Sequence, residues 1–67
     1  MEHNNQIEQL LKNNTIIYKY ATETKVHMIV EGNVGYIDFW PTTGKWIERG
    51  TKIEGFGART LVKHILA

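Results

Sequence analysis

The residues best suited to molecular recognition lie between Tyr36 and Ile47, in the segment Tyr-Ile-Asp-Phe-Trp-Pro-Thr-Thr-Gly-Lys-Trp-Ile. Both tryptophans of the chain, Trp40 and Trp46, flank its Pro-Thr-Thr-Gly sequence. Proline presets φ for the second position of a turn and glycine accepts the positive φ that closes it, so the pattern predicts a β-hairpin. An indole exposed at a hairpin tip can stack on a base or fill a pocket in a protein, whereas a buried indole only supports the fold.

Strand alternation distinguishes the two tryptophans. Trp40 shares one face of its strand with Asp38, and Ile37 and Phe39 share the opposite face. If the apolar pair faces the core, Trp40 lies on the more polar side. We therefore expect Trp40 to be more exposed than Trp46.

Basic side chains are concentrated after the hairpin. Residues 1–41 carry three Lys or Arg against five Asp or Glu, and residues 42–67 carry five against two. Such a basic part can attract phosphates or an acidic partner, although ordinary scatter of surface charge explains it equally well. The five cations are Lys45, Arg49, Lys52, Arg59 and Lys63.

A second candidate site precedes the last predicted helix, at Gly55 and Gly57. Glycines in this position leave backbone N–H groups free at the positive end of a helix, which favours anion binding. Lys52 and Arg59 would add positive charge. The alternative is that the glycines serve only a tight turn, with Phe56 in the core.

Side chains for catalysis are sparse. The histidines His3, His27 and His64 fall in three different segments, and a metal pair of His27 with His64 would need a third ligand such as Glu31 or Asp38. The spacing does not indicate such a site, and a chain this small is poorly able to enclose a water-excluding pocket. We expect no enzyme activity, no metal and no cofactor.

Asp38 itself lies in the middle of a predicted strand. A carboxylate in that position is either a buried acid or, more commonly, the partner of a cross-strand cation. Lys45 or Arg49 is the expected partner.

The elements that would position these residues follow from periodicity. Asn4 and Asn5 are N-cap residues for a short helix that ends at Asn13-Asn14, preceded by a frayed tail over 1–4. Period-two alternation predicts strands over 15–21, 25–31, 34–40 and 45–49, with a hairpin turn at Gly32-Asn33. A helix follows over 58–67. The predicted fold is α+β: a short N-terminal helix, a three- to four-stranded antiparallel meander, and a C-terminal helix packed on one sheet face.

Length and composition restrict the class of protein. The 67 residues form a single domain, 1–67, and contain no cysteine, so neither a disulfide nor a thiolate metal site supports the fold. A small core of this kind favours a homodimer or a complex with a larger partner. No apolar run approaches the ~20 residues of a membrane span, and we expect a soluble, cytoplasmic protein.

Two resemblances involve the same residues. The order helix, strands, helix, with Gly55, Gly57, Arg59 and Lys63 at the last helix, resembles the double-stranded RNA-binding domain. That resemblance implies basic contacts from the last helix to phosphates.

The segment from Tyr36 to Ile65 resembles the layout of primase-type zinc ribbons, without their cysteines. Its Trp-Pro-Thr-Thr-Gly-Lys-Trp sequence is similar to segments of small phage- and plasmid-encoded proteins. These similarities imply a mobile-element origin and a role near nucleic acids, or inhibition of host or defence machinery.

The leading functional hypothesis is a small non-enzymatic binding module of phage type that acts on a nucleic acid or nucleoprotein complex. Its binding residues would be the Trp40/Trp46 hairpin, the five cations and the two glycines before the last helix. The alternative is an inhibitor of a host or anti-phage defence enzyme that uses the hairpin as an anchor. A homodimer joined through an exposed sheet edge or aromatic face is the third hypothesis.

Overall fold

The computed structural model describes residues 2–33 and 35–67, with side chains from residue 6 onward. In chain order it contains one helix, five antiparallel strands and a second helix. The strands form one meander in the order β1-β2-β3-β4-β5. The α+β class and the two terminal helices are confirmed. The elements are α1 (Glu2–Asn13), β1 (Tyr18–Tyr20), β2 (Met28–Gly32), β3 (Gly35–Trp40), β4 (Lys45–Glu48), β5 (Glu54–Phe56) and α2 (Ala58–Leu66).

The prediction of three to four strands missed β5. This strand pairs with β4 through Trp46 opposite Gly55 and Lys45 opposite Phe56. Its three residues are Glu-Gly-Phe, and a central glycine in so short a segment gives no apolar alternation. The strand forms because β4 offers a free edge beside it, which is a tertiary cause.

Both helices pack on one face of the sheet, which we call the inner face. The fully buried side chains of that face include Ile37 and Phe39, so the condition on which Trp40 was expected to be the more exposed tryptophan is met. The C-terminal helix therefore covers one sheet face, as expected. The core consists of Ile7 and Leu11 from α1, Ile16, Met28, Val30, Ile37, Phe39 and Trp46 from the sheet and its entry, and Leu61, Val62 and Ile65 from α2.

Several expected boundaries shift by a few residues. Helix α1 begins at Glu2, so Asn4 and Asn5 lie within it and do not cap it. The hairpin at Gly32-Asn33 is confirmed by the pairing of Gly32 with Gly35. The strand predicted over 25–31 begins three residues later than expected, at Met28, and Val26 before it is 42% exposed. Of the frayed tail predicted over 1–4, residues 2–4 lie within α1. Residues 1 and 34 and the side chains of residues 2–5 lie outside the described part.

Candidate functional site

The sheet face opposite the helices is the candidate site, and we call it the outer face. Across residues 2–33 and 35–67, no helix or loop is packed over it. Strand register arranges its side chains in three rows that run across the strands. The middle row contains one residue from each strand in turn, namely Lys19, Ile29, Asp38, Ile47 and Glu54.

Two further rows flank it. Backbone hydrogen bonds from Glu31 to Ile17 and from Arg49 to Tyr36 extend the row that contains the Glu31–Tyr36 pair. The third row joins the ends of the strands near the Pro-Thr-Thr-Gly turn. The flanking rows read Ile17, Glu31, Tyr36 and Arg49 on one side, and Ala21, His27, Trp40, Lys45 and Phe56 on the other.

Apolar side chains on this face are accessible to solvent. Ile17 is 63% exposed, Tyr36 is 47% exposed and Phe56 is 64% exposed. Ile29 and Ile47 lie half-buried between them. Phe56 therefore points outward, and the idea that it plugs the core is wrong.

Charged groups on the outer face are paired within the face. The Arg49 guanidinium donates from Nε and a terminal nitrogen to the two oxygens of Asp38, at 2.9 and 2.8 Å. His27 Nε2 lies 2.9 Å from the same carboxylate. Hydrogen bonding to Arg49, and to a smaller extent to His27, lowers the pKa of Asp38 against the opposing effect of its burial. The expected cross-strand partner of Asp38 is therefore Arg49. Lys45 instead lies 3.7 Å from Glu54.

The two tryptophans have different environments. Trp40 is half-buried on the outer face, where its ring stacks on His27 with centroids 4.7 Å apart and planes at 9°. Trp46 is 4% exposed on the inner face, and its indole N–H donates to Thr60 Oγ1 at 3.2 Å. The expectation that Trp40 is the more exposed is confirmed. Trp46 belongs to the core, so the binding role predicted for it has no exposed surface to act through.

The glycines assigned to an anion site have structural roles. A Cβ on Gly55 would lie 2.5 Å from the Trp46 ring, so this position must be glycine for the indole to fit. Gly57 has φ +97° and its N–H donates to the carbonyl of Gly44 at 2.7 Å, which joins the hairpin turn to the start of α2. The first turn of α2 lines one side of a cleft of about 650 Å³ against α1, with Arg59 at its border.

The basic residues named from the sequence do not share one surface. Lys45 and Arg49 lie on the outer face, whereas Arg59 and Lys63 are exposed on α2, in the other layer of the molecule. Lys52 lies in the loop between β4 and β5. A concentration of cations in the sequence after residue 41 is therefore spread over separate sides of the fold.

A buried carboxylate on the inner face was not anticipated from the sequence. Glu48 is 3% exposed, and its Oε1 accepts a hydrogen bond from Thr51 Oγ1 at 2.6 Å and lies 3.2 Å from His64 Nε2. The hydrogen bond from Thr51 lowers the pKa of Glu48, burial opposes it, and His64 lowers it further. The His64 ring also packs on Trp46, with centroids 5.0 Å apart. Alternation alone places Glu48 on the Trp46 face, so that signal was present in the sequence.

This cluster predicts a pH dependence of stability. Because the folded pKa of Glu48 is below its unfolded value, the charged form stabilises the fold above the unfolded pKa, and this contribution is lost as pH falls through the folded pKa. We expect Glu48→Gln to lower the free energy of unfolding by about 1–3 kcal/mol at about pH 7, and by much less at about pH 3. Urea unfolding at both pH values measures it. An equal loss at the two pH values would contradict the assignment.

The described residues contain neither a group of side chains placed to hold a metal ion nor a helix able to cross a membrane. His27 lies on the outer face and His64 on the inner side, so the two cannot share an ion. No group of three or more His, Cys, Asp or Glu residues in the described part is placed to hold a metal. Neither described helix has the length and apolar character needed to cross a bilayer.

Comparisons with known proteins identify no family for this chain. No protein-family profile matches the chain, and searches of curated proteins and of solved structures return no significant match. The resemblances to RNA-binding domains, zinc ribbons and small phage proteins therefore stay predictions, and function must be argued from the outer face itself.

Proposed function

We propose that this protein is a non-enzymatic binding module that acts on another protein through the outer face of its sheet. The observation that carries the proposal is the composition of that face. On that face, exposed apolar side chains are interspersed with charged ones, of which three are basic and three are acidic. The basic residues are Lys19, Lys45 and Arg49, and the acidic ones are Glu31, Asp38 and Glu54.

A protein partner fits this composition better than a polyanion does. Proteins bind nucleic-acid phosphates through Lys and Arg side chains, which release the counterions held by the nucleic acid. Here Arg49 and Lys45 are each paired with a carboxylate of the same face. Protein interfaces instead bury aromatic and aliphatic side chains at the centre and match charges of both signs around them. Tyr36, with its ring almost half exposed, is the natural central anchor. The predicted resemblance to small phage proteins is what suggests a host or anti-phage defence enzyme as the target.

The test is a variant that changes the outer face without touching the core. We expect Tyr36→Glu to abolish binding of a partner purified from nuclease-treated bacterial lysate, with at least a hundredfold loss of affinity for that partner by calorimetry. Leu66→Glu is the matched control, because Leu66 is a similarly exposed apolar residue on α2. Equal binding by wild type and Tyr36→Glu would contradict the proposal.

Nucleic acid is the second candidate. It is favoured by the exposed rings of Tyr36 and Phe56 on an open antiparallel sheet, because such rings can stack on unpaired bases. Arg59 and Lys63 form no ion pair among the described side chains and could contact phosphates from the α2 side. Fluorescence titration against single- and double-stranded DNA and RNA at two salt concentrations tests it. Salt-sensitive binding that Tyr36→Glu weakens would support this candidate over a protein target.

A further inference from the structure

The pattern of the outer face is symmetric about its central strand. In the middle row, Lys19 on β1 and Glu54 on β5 have opposite charges at the two edges, and Ile29 on β2 matches Ile47 on β4. Strand β3 lies at the centre of the five, and in this row the strands at equal distance on either side of it carry complementary residues.

We propose that the outer face binds a second copy of this chain, face to face, about a two-fold axis that runs along β3. Such an axis places β1 over β5 and β2 over β4 of the other copy, and the interface is isologous. This inference rests on the proposed function, because the second copy would occupy the same outer face. A dimer of this kind and a complex with a foreign protein would therefore exclude each other on that face. Face-to-face sheets pack ~10 Å apart with strands within ~30° of parallel, which keeps long side chains of facing strands in reach.

Two of the three rows match in charge under this operation. In the third row His27 on β2 lies over Lys45 on β4 of the second copy, so that row adds no charge complementarity. Lys19 meets Glu54 of the second copy, and the symmetry repeats this pair at the opposite edge. Ile29 meets Ile47, which places apolar side chains on both sides of the centre. In the neighbouring row the acidic Glu31 on β2 meets the basic Arg49 on β4.

Residues on β3 meet their own counterparts along the axis. Tyr36 and Trp40 would each contact the same ring of the second copy, an arrangement that aromatic side chains favour. Asp38 would face its own copy, but each carboxylate already has Arg49 and His27 as partners, which offsets the like charge.

The size of the face sets the expected affinity. Five strands spaced ~4.8 Å apart, with two or three outward positions along each, give a footprint on the order of 450 Å² per copy, or ~900 Å² for the pair. That total is below the ~1,200 Å² of stable interfaces, so we expect weak association, with a dissociation constant on the order of tens of micromolar or weaker. The apparent mass should therefore rise with concentration in sedimentation equilibrium.

Charge reversal at the two edges tests the symmetry itself. Lys19 and Glu54 lie four strand spacings apart within one chain, or ~19 Å, so they can touch only between copies. We expect Lys19→Glu alone and Glu54→Lys alone each to weaken self-association about tenfold or more, because each places two like-charged pairs in the dimer. Mixing the two variants should restore association, since every pair in the mixed dimer is again of opposite charge.

Sedimentation equilibrium of each variant and of their equimolar mixture measures this result, with Lys63→Glu on α2 as the control that should dimerise like wild type. A wild type that stays monomeric up to about 1 mM, single variants that associate like wild type, or a mixture that does not recover would each overturn the inference. A monomeric protein whose foreign partner is lost with Tyr36→Glu would overturn the dimer but keep the proposed function. A protein that neither dimerises nor depends on Tyr36 for any partner would overturn both.

Discussion

Replacing Trp46 by alanine is expected to lower the free energy of unfolding by about 4 kcal/mol, as truncation of a large buried aromatic side chain does. Trp46 is 4% exposed, donates its indole N–H to Thr60, and packs on His64 and Gly55. The total stability expected for a domain of this length is only about 3–10 kcal/mol. Trp46→Ala should therefore leave the chain largely unfolded at moderate temperature.

Trp40→Ala is the matched comparison, because it removes the other indole of the same hairpin. Trp40 is half-buried and its main packing partner is His27, so we expect a loss of about 1 kcal/mol. Urea unfolding followed by far-ultraviolet circular dichroism measures both variants without relying on indole fluorescence. Equal losses in the two variants would show that the indoles are not divided between core and outer face.

Gly55→Ala is expected to have the second largest effect on stability, although it adds only one methyl group. The added methyl would lie 2.5 and 2.8 Å from two carbons of the Trp46 ring, closer than any real Cβ contact. Neither group can yield easily, because Gly55 is paired in β5 and the indole is buried and hydrogen-bonded. We expect a loss of about 3 kcal/mol and a fall in Tm of roughly 12–24 °C, measured by thermal unfolding.

Gly35→Ala separates this steric effect from the general cost of removing a glycine. Gly35 has φ +130°, and a Cβ built there has no atom within 4 Å, so only backbone strain opposes the change. We expect this variant to lose about 1 kcal/mol. A Gly55→Ala variant as stable as Gly35→Ala would mean that the Trp46 ring does not pack against β5.

Local patterns in the sequence were sufficient for much of the fold. Alternation grouped Ile37 with Phe39 on one face and correctly indicated that Trp40 is more exposed than Trp46, because side chains of a strand point to opposite faces with a strict period of two. Turn residues located the hairpin at Gly32-Asn33 for a similarly local reason. The concentration of basic residues after position 41, in contrast, suggested a shared binding surface, whereas the fold places these residues on separate sides.

Only the tertiary structure decided which surface is available for binding. Both helices pack on the face that contains Phe39, and among the described residues this leaves the outer face open. The spacing of apolar residues within a helix or strand does not determine on which sheet face a helix packs. The same packing buries Trp46 and Glu48, and it separates Lys45 and Arg49 from Arg59 and Lys63. Strand β5 forms against the edge of β4, so the Lys19 and Glu54 edges of the sheet exist only once all five strands are paired. Binding surfaces depend on contacts between residues distant in sequence, and residue types and spacing alone do not specify those contacts.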